Sequence, residues 1–278
     1  MKKTIFSLMA VVLISTFSCK DESKKSTSED IIEVVEVNIK GETVTYATDS
    51  TTMKGYIAFD ENNTEKRPGI LVIHEWWGHN DYVRERADML AELGYVALAV
   101  DMYGDGKQAD HPDDAGKFAG MVMQNMEEAT ARFNAALELL KSNPNVDAEK
   151  IAAIGYCFGG SVALSMANAG SDLDAVAAFH SGVALPVMPS DQLKARVLVC
   201  NGADDPFASS ESIETFKKQM DSINADYKYV AYPGAVHAFT SKDADALGEK
   251  FNLPLAYNKE ADEKSWEELQ ILLTETFK

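Results

Sequence analysis

The chain carries 44 acidic against 26 basic residues in 278, a formal charge of −18 at pH 7. Its field repels phosphate, which excludes nucleic acid and anionic membrane surfaces as partners of the folded body. Hydrophobic residues make up 46% of the chain, enough for a large core and too many for a disordered protein.

Residues 1–18 read as a secretory signal. Lys2-Lys3 is a basic start, Ile5 to Ile14 is apolar but for Ser7, and Ser15-Thr16-Phe17-Ser18 leads to Cys19, a run too short to span a bilayer stably. The pattern resembles a bacterial lipoprotein signal, with cleavage before Cys19 and a lipid on its sulfur; Phe17 departs from the small residue usual there. Lys20-Asp21-Glu22 is similar to an acidic export signal of some lipoproteins. The resemblance implies a cell-envelope protein at the outer membrane, on its periplasmic or surface face, touching the membrane only through that lipid. Residues 19–30 are polar and cannot bury a core, so they form a tether. Residues 31–278 then make a single domain, expected to be monomeric.

Three short β-like runs follow, Val34 to Ile39, Val44 to Tyr46 and Gly55 to Phe59, suggesting an antiparallel start. Gly69 to His74 is continuously apolar up to its histidine, as strands buried on both faces are. Val83, Ala87, Leu90 and Leu93 put a helix over Tyr82 to Leu93, which Gly94 ends. Tyr95 to Val100 is the next strand, and Met121 to Leu140 a long helix with Met126, Phe133, Leu137 and Leu140 on one face. A strand at Ile151 and a helix after it precede strands at Ala175 to Phe179 and Arg196 to Cys200. A helix from Ser210 to Met220, a strand from Tyr227 to Ala231 and a closing helix up to Phe277 complete the series. Such alternation means an α/β fold, a mostly parallel sheet with helices on both faces and no internal repeat.

Gly155-Tyr156-Cys157-Phe158-Gly159-Gly160 lies where the Ile151 strand turns into its helix. Gly-x-Cys-x-Gly at such a turn is a nucleophile elbow with cysteine for serine. Glycines let strand and helix close around the turn, and the helix amino terminus favours a thiolate. A cysteine nucleophile needs a base, and the base an acid to orient it. Asp205, with Asp204 as the alternative, follows the Arg196 strand; His237 follows the last strand in the glycine-containing loop Tyr232 to Phe239. The order Cys157, Asp205, His237 is that of the α/β-hydrolases. Of the remaining cysteines, Cys19 and Cys200 form no evident disulfide pair. His74, His79 and His111 with Glu75, Asp110 and Asp113 match no zinc spacing, so neither metal nor cofactor is expected.

The elbow, the segment His74-Glu75-Trp76-Trp77-Gly78 and the Gly-x-x-His-x-Phe of Gly234 to Phe239 together resemble the dienelactone hydrolase family over roughly residues 50 to 278. The resemblance implies an α/β-hydrolase fold and a hydrolase of small-molecule carboxylic esters or lactones. It implies that Glu75 contacts the resting Cys157 sulfur, the rival reading being an ion pair with Arg84 or Arg86. It puts the oxyanion on the backbone N–H groups of Phe158 and Trp76, and expects Trp77, Tyr103 and Phe239 at the substrate. The family holds a substrate carboxylate with arginines, yet Asp101 to Lys107 and Thr240 to Lys242 contain none, leaving Lys107 and Lys242 as the nearest cations. That departure and the lipid anchor keep open a tethered, non-catalytic binding protein on a hydrolase scaffold, while an acyltransferase or thioesterase would share the chemistry and differ only in acceptor and leaving group.

Overall fold

The computed structural model describes residues 36–278. Cys19, the signal-like segment and the tether lie outside them. An eight-stranded sheet has the order β1-β2-β4-β3-β5-β6-β7-β8, with β1 Ile39–Ala47, β2 Thr52–Asp60, β3 Arg67–Ile73, β4 Val96–Val100, β5 Val146–Tyr156, β6 Ala175–Phe179, β7 Arg196–Gly202 and β8 Tyr227–Tyr232. β1 and β2 run antiparallel to their neighbours, and all pairs from β4 through β8 are parallel.

The continuous apolar strands are explained by two cores, one on each face. Leu71 and Ile73 of β3 pack into one, Ile70 and Val72 into the other, as a side-chain period of two requires. The first core is closed by Phe133 of α3 (Met126–Lys141), Val162 of α4 (Phe158–Asn168) and Phe216 of α5 (Ser210–Ser222). The second is closed by Val83 and Leu90 of α1 (Asp81–Glu92) and by Leu269 and Leu273 of α7 (Lys259–Thr276).

Three expectations need correction. The described start of the sheet holds two long strands rather than three short ones. β1 runs without a break from Ile39 through Tyr46, its polar residues exposed at the sheet edge, and turns into β2 where Thr48 N–H donates to the Thr51 carbonyl at 2.9 Å. The long helix expected over Met121 to Leu140 is two helices, α2 (Pro112–Gln124) and α3, parted at Asn125. Asn125 leaves helical geometry at φ −123°, and its side chain accepts from Glu128 N–H at 3.2 Å, capping α3. His111 and Pro112 start α2 a full two turns before the expected boundary, the imidazole accepting from Asp113 N–H at 3.2 Å. A short helix, α6 (Ala244–Phe251), was not expected at all. Among the described residues no helix is long and apolar enough to cross a membrane.

Candidate active site

Glu75, Cys157, Asp205 and His237 lie just beyond the carboxyl ends of β3, β5, β7 and β8, where parallel α/β sheets gather their functional loops. Cys157 joins β5 to α4 at φ 53° and ψ −117°, a left-handed backbone that a side chain adopts under strain. Its N–H donates to the Phe179 carbonyl at 2.9 Å and its carbonyl accepts from Gly160 N–H at 3.1 Å, so the turn is held from both neighbours. A Cβ on Gly155 would collide with the Gly159 carbonyl, and one on Gly159 with the carbonyls of Ile73 and His74. Strand and helix could not meet this closely with any other residues there.

The sulfur of Cys157 lies 3.1 Å from Nε2 of His237. Nδ1 of His237 donates to Oδ2 of the buried Asp205 at 2.8 Å, while Oδ1 accepts from Phe207 N–H at 2.8 Å and fixes the carboxylate. Asp204, the other candidate acid, is exposed and instead accepts from Gly234 N–H at 2.9 Å. Burial opposes a charged imidazole, but the Cys157 charge and the hydrogen bonds to Asp205 and Cys157 outweigh it and hold His237 at about 10. Behind His237 lies His180, fully buried, its ring centroid 5.4 Å away; burial pushes its pKa far down and keeps it neutral. His180 Nε2 meets Thr240 Oγ1 at 2.7 Å, and Tyr82 meets the same hydroxyl at 2.6 Å.

Glu75 is buried and none of the hydrogen bonds or ion pairs among the described residues involves its carboxyl. Neither expectation for it holds in this arrangement. The sulfur's hydrogen-bond partner is His237; Arg84 pairs with Asp81 at 3.3 Å and Arg86 with Asp262 at 2.7 Å. Glu75 lines a separate polar cavity together with Tyr82 and Asp243. Burial raises it to about 7, with Asp243 adding to the rise and His237 and Arg86 opposing it.

The Glu75 carbonyl, by contrast, is tightly held. Met102 N–H donates to Nε2 of His74 at 3.2 Å, which puts the His74 proton on Nδ1, and Nδ1 donates to the Glu75 carbonyl at 2.5 Å. Gly78 N–H donates to the same oxygen at 3.1 Å. Burial lowers His74 to about 4, so the ring stays neutral in this role. In a trans peptide the next N–H points the opposite way, so fixing the Glu75 oxygen also aims the N–H of Trp76. That N–H and the N–H of Phe158, the first residue of α4, have no acceptor among the described residues. The Phe158 ring stacks on His74 at 5.7 Å between centroids. An N–H with no acceptor of its own is free to donate to an oxygen that gains charge.

A cavity of about 330 Å³ opens over Cys157 and His237, walled chiefly by Trp76, Met123, Phe158, Phe207 and Leu255. Three residues expected at the substrate lie elsewhere. Phe239 is fully buried in the second core. The Tyr103 hydroxyl is spent on the Trp76 carbonyl at 2.9 Å, and Trp77 packs on Phe251 at 6.0 Å. Each is where its sheet-edge loop turns it inward, and only Trp76 of the tryptophan pair reaches the cavity. The metal-like histidines are likewise occupied: His74 as above, His79 on the Ala99 carbonyl at 3.1 Å, and His111 capping α2. Reading the sequence missed Phe207 and Leu255 as cavity walls. Phe207, half-exposed and set edge-on to His237 at 5.0 Å, stands two residues after the acid, the one local signal that could have found it.

The family model described as the dienelactone hydrolase family matches residues 53–277. Protein usf of Aquifex pyrophilus is 30% identical over 231 residues, which cover 79% of this chain and 98% of that protein. A solved structure named m3DLH is 37% identical at a TM-score of 0.82, covering 86% of this chain and 99% of its own. A dienelactone hydrolase-like promiscuous phosphotriesterase from metagenomic libraries is 33% identical at a TM-score of 0.80, with the same coverage of the two chains.

Proposed function

The chain belongs to the dienelactone hydrolase family, and from that premise we propose that it cleaves carboxylic esters or lactones through Cys157, His237 and Asp205. The single observation carrying this reading is the relay from Asp205 Oδ2 to His237 at 2.8 Å and from His237 to the Cys157 sulfur at 3.1 Å. For attack the sulfur's proton passes to Nε2 of His237, a transfer that the raised His237 favours, leaving a thiolate beside an imidazolium.

The thiolate attacks the carbonyl carbon; a C–S bond forms as the carbonyl π pair moves onto oxygen. The N–H groups of Phe158 and Trp76 donate to that oxyanion, and such a donor is typically worth roughly 3–4 kcal/mol in the transition state. As the carbonyl re-forms, the C–O bond breaks and the Nε2 proton of His237 goes to the leaving alkoxide. The thioester then waits for water, which His237, now neutral, deprotonates; attack and loss of the thiolate release the acid. Asp205 holds the imidazole in the tautomer that presents Nε2 to sulfur and water alike.

Replacing Cys157 by Ala tests the reading. With 4-nitrophenyl butyrate, kcat is expected to fall at least about 1,000-fold while the circular dichroism spectrum is unchanged; a variant as active as wild type would rule out cysteine catalysis. The Lys2 to Cys19 pattern supports a lipid-anchored enzyme of the cell envelope. Metabolic labelling with a fatty-acid analogue should mark wild type and not Cys19→Ser; equal labelling of both would refute the anchor.

A further inference from the structure

The chemistry above is indifferent to what the acyl chain carries, but the cavity is not. We propose that the substrate is a neutral ester or lactone with an apolar acyl side, and that acyl groups ending in a carboxylate are refused. The inference rests on Cys157 being the nucleophile and extends it to substrate class.

The cavity walls are apolar on every side: Trp76 and Phe158 beside the elbow, Met123 from α2, and Phe207 and Leu255 opposite. Apart from Cys157, His237 and the indole N–H of Trp76, the one polar group on a wall side chain is the Ser161 hydroxyl, which donates to the Gly182 carbonyl at 2.9 Å. None of the described wall residues is a lysine or arginine.

The nearby lysines and arginines, Lys117 beside Lys107 included, line other cavities. Lys107 lies 5.2 Å from the centroid of the Phe118 ring, in a separate cavity of about 470 Å³ reached from the other face of α2. Arg132 in that same cavity is bound to Glu128 at 2.9 Å and to the Met102 carbonyl at 2.8 Å. Lys242 faces Glu85 at 3.7 Å, and Lys250 covers the Phe251 ring in the cavity that holds Glu75. A substrate carboxylate above Cys157 would thus lose its water with no lysine or arginine to receive it, His237 being already engaged by the Cys157 sulfur and by Asp205, and in the field of an acidic protein. An alkyl or aryl chain would meet Trp76, Met123, Phe207 and Leu255 and leave water favourably.

Two matched pairs of probes test this. The 4-nitrophenyl ester of hexanoic acid and the 4-nitrophenyl monoester of adipic acid share a six-carbon acyl group and differ at its far end. Wild type should cleave the hexanoate with a kcat/KM at least 100-fold the higher, and Met123→Arg should narrow that ratio at least tenfold by raising the rate on the monoester. Rates within threefold of each other, or a preference for the monoester, would overturn the proposal. The second pair does not need turnover: N-hexylmaleimide and 6-maleimidohexanoic acid both alkylate thiols, and Cys157 adducts are counted by mass spectrometry. The neutral reagent should react at least 30-fold faster, and equal rates would overturn the proposal. Were neither ester cleaved, the hydrolase reading would fall while the labelling ratio still judged the cavity.

Discussion

Burial of Glu75 without a partner gives one carboxyl an outsized effect on stability. Below pH 4.5 it is protonated in both the folded and the unfolded chain and costs nothing. As pH rises through about 7 the unfolded chain ionises freely and the folded one resists, so the cost grows and then levels off. From the size of the shift it is on the order of 3 kcal/mol at most. Glu75→Gln should therefore be more stable than wild type at pH 8 and equal to it near pH 4, as urea melts would read; equal midpoints at both would mean that Glu75 is solvated. His74 acts through a carbonyl rather than on the substrate. His74→Phe keeps the ring stacked on Phe158 but releases the Glu75 carbonyl, so kcat should fall roughly 10- to 100-fold with KM nearly unchanged. A change in KM alone would make it a packing residue. At this scale the sequence was legible where local spacing carries the chemistry. Cys157 and His237 announce themselves by the glycines around them, and Asp205 by its place after β7, though only the fold separates it from Asp204. Tyr103, Trp77 and Phe239 misled because an aromatic near a motif looks alike whether it faces a cavity or the core; the direction is set by contacts far along the chain.

Helix α2 shows where element boundaries hide. Its apolar spacing runs into that of α3, and the break depends on the one Asn125 side chain that caps the second helix, so a single long helix is the natural reading. Helix α6 is too short to show a period, and its Leu247 packs against the small cluster of Trp77, Ala109 and Ala115, residues far away along the chain. The buried parallel strands were read correctly because an unbroken apolar run has few other homes in a chain that alternates so regularly. Glycines at two places in these elements make opposite predictions. A Cβ on Gly116 of α2 meets nothing, so Gly116→Ala should stabilise by roughly 0.5–1 kcal/mol through the unfolded chain. Gly155→Ala places its methyl on the Gly159 carbonyl and should destabilise by more than that or prevent folding. Thermal melts of the pair decide the matter, and equal midpoints would contradict the account of the elbow.

Over the whole molecule, three histidines are buried with their pKa values lowered: His74 to about 4, and His79 and His180 in the same direction, burial being the largest cause each time. A depressed histidine contributes stability that is present above pH 6.5 and is lost as pH falls toward its folded value. Glu75 pulls the other way over part of that window, one group against three. The urea midpoint should fall steadily from pH 6.5 to pH 4, and more steeply in Glu75→Gln; a flat profile would contradict the burial of these rings. The same sheet that buries them carries Cys157, Asp205 and His237 on the loops at one end, so the fold and the proposed chemistry share one architecture. The most direct test of that chemistry is a rapid acid quench with 4-nitrophenyl hexanoate, followed by peptide mass mapping. The account predicts a hexanoyl group on the peptide bearing Cys157, formed with a burst of close to one 4-nitrophenol per chain. Turnover with no acyl group on Cys157 at any quench time would contradict it.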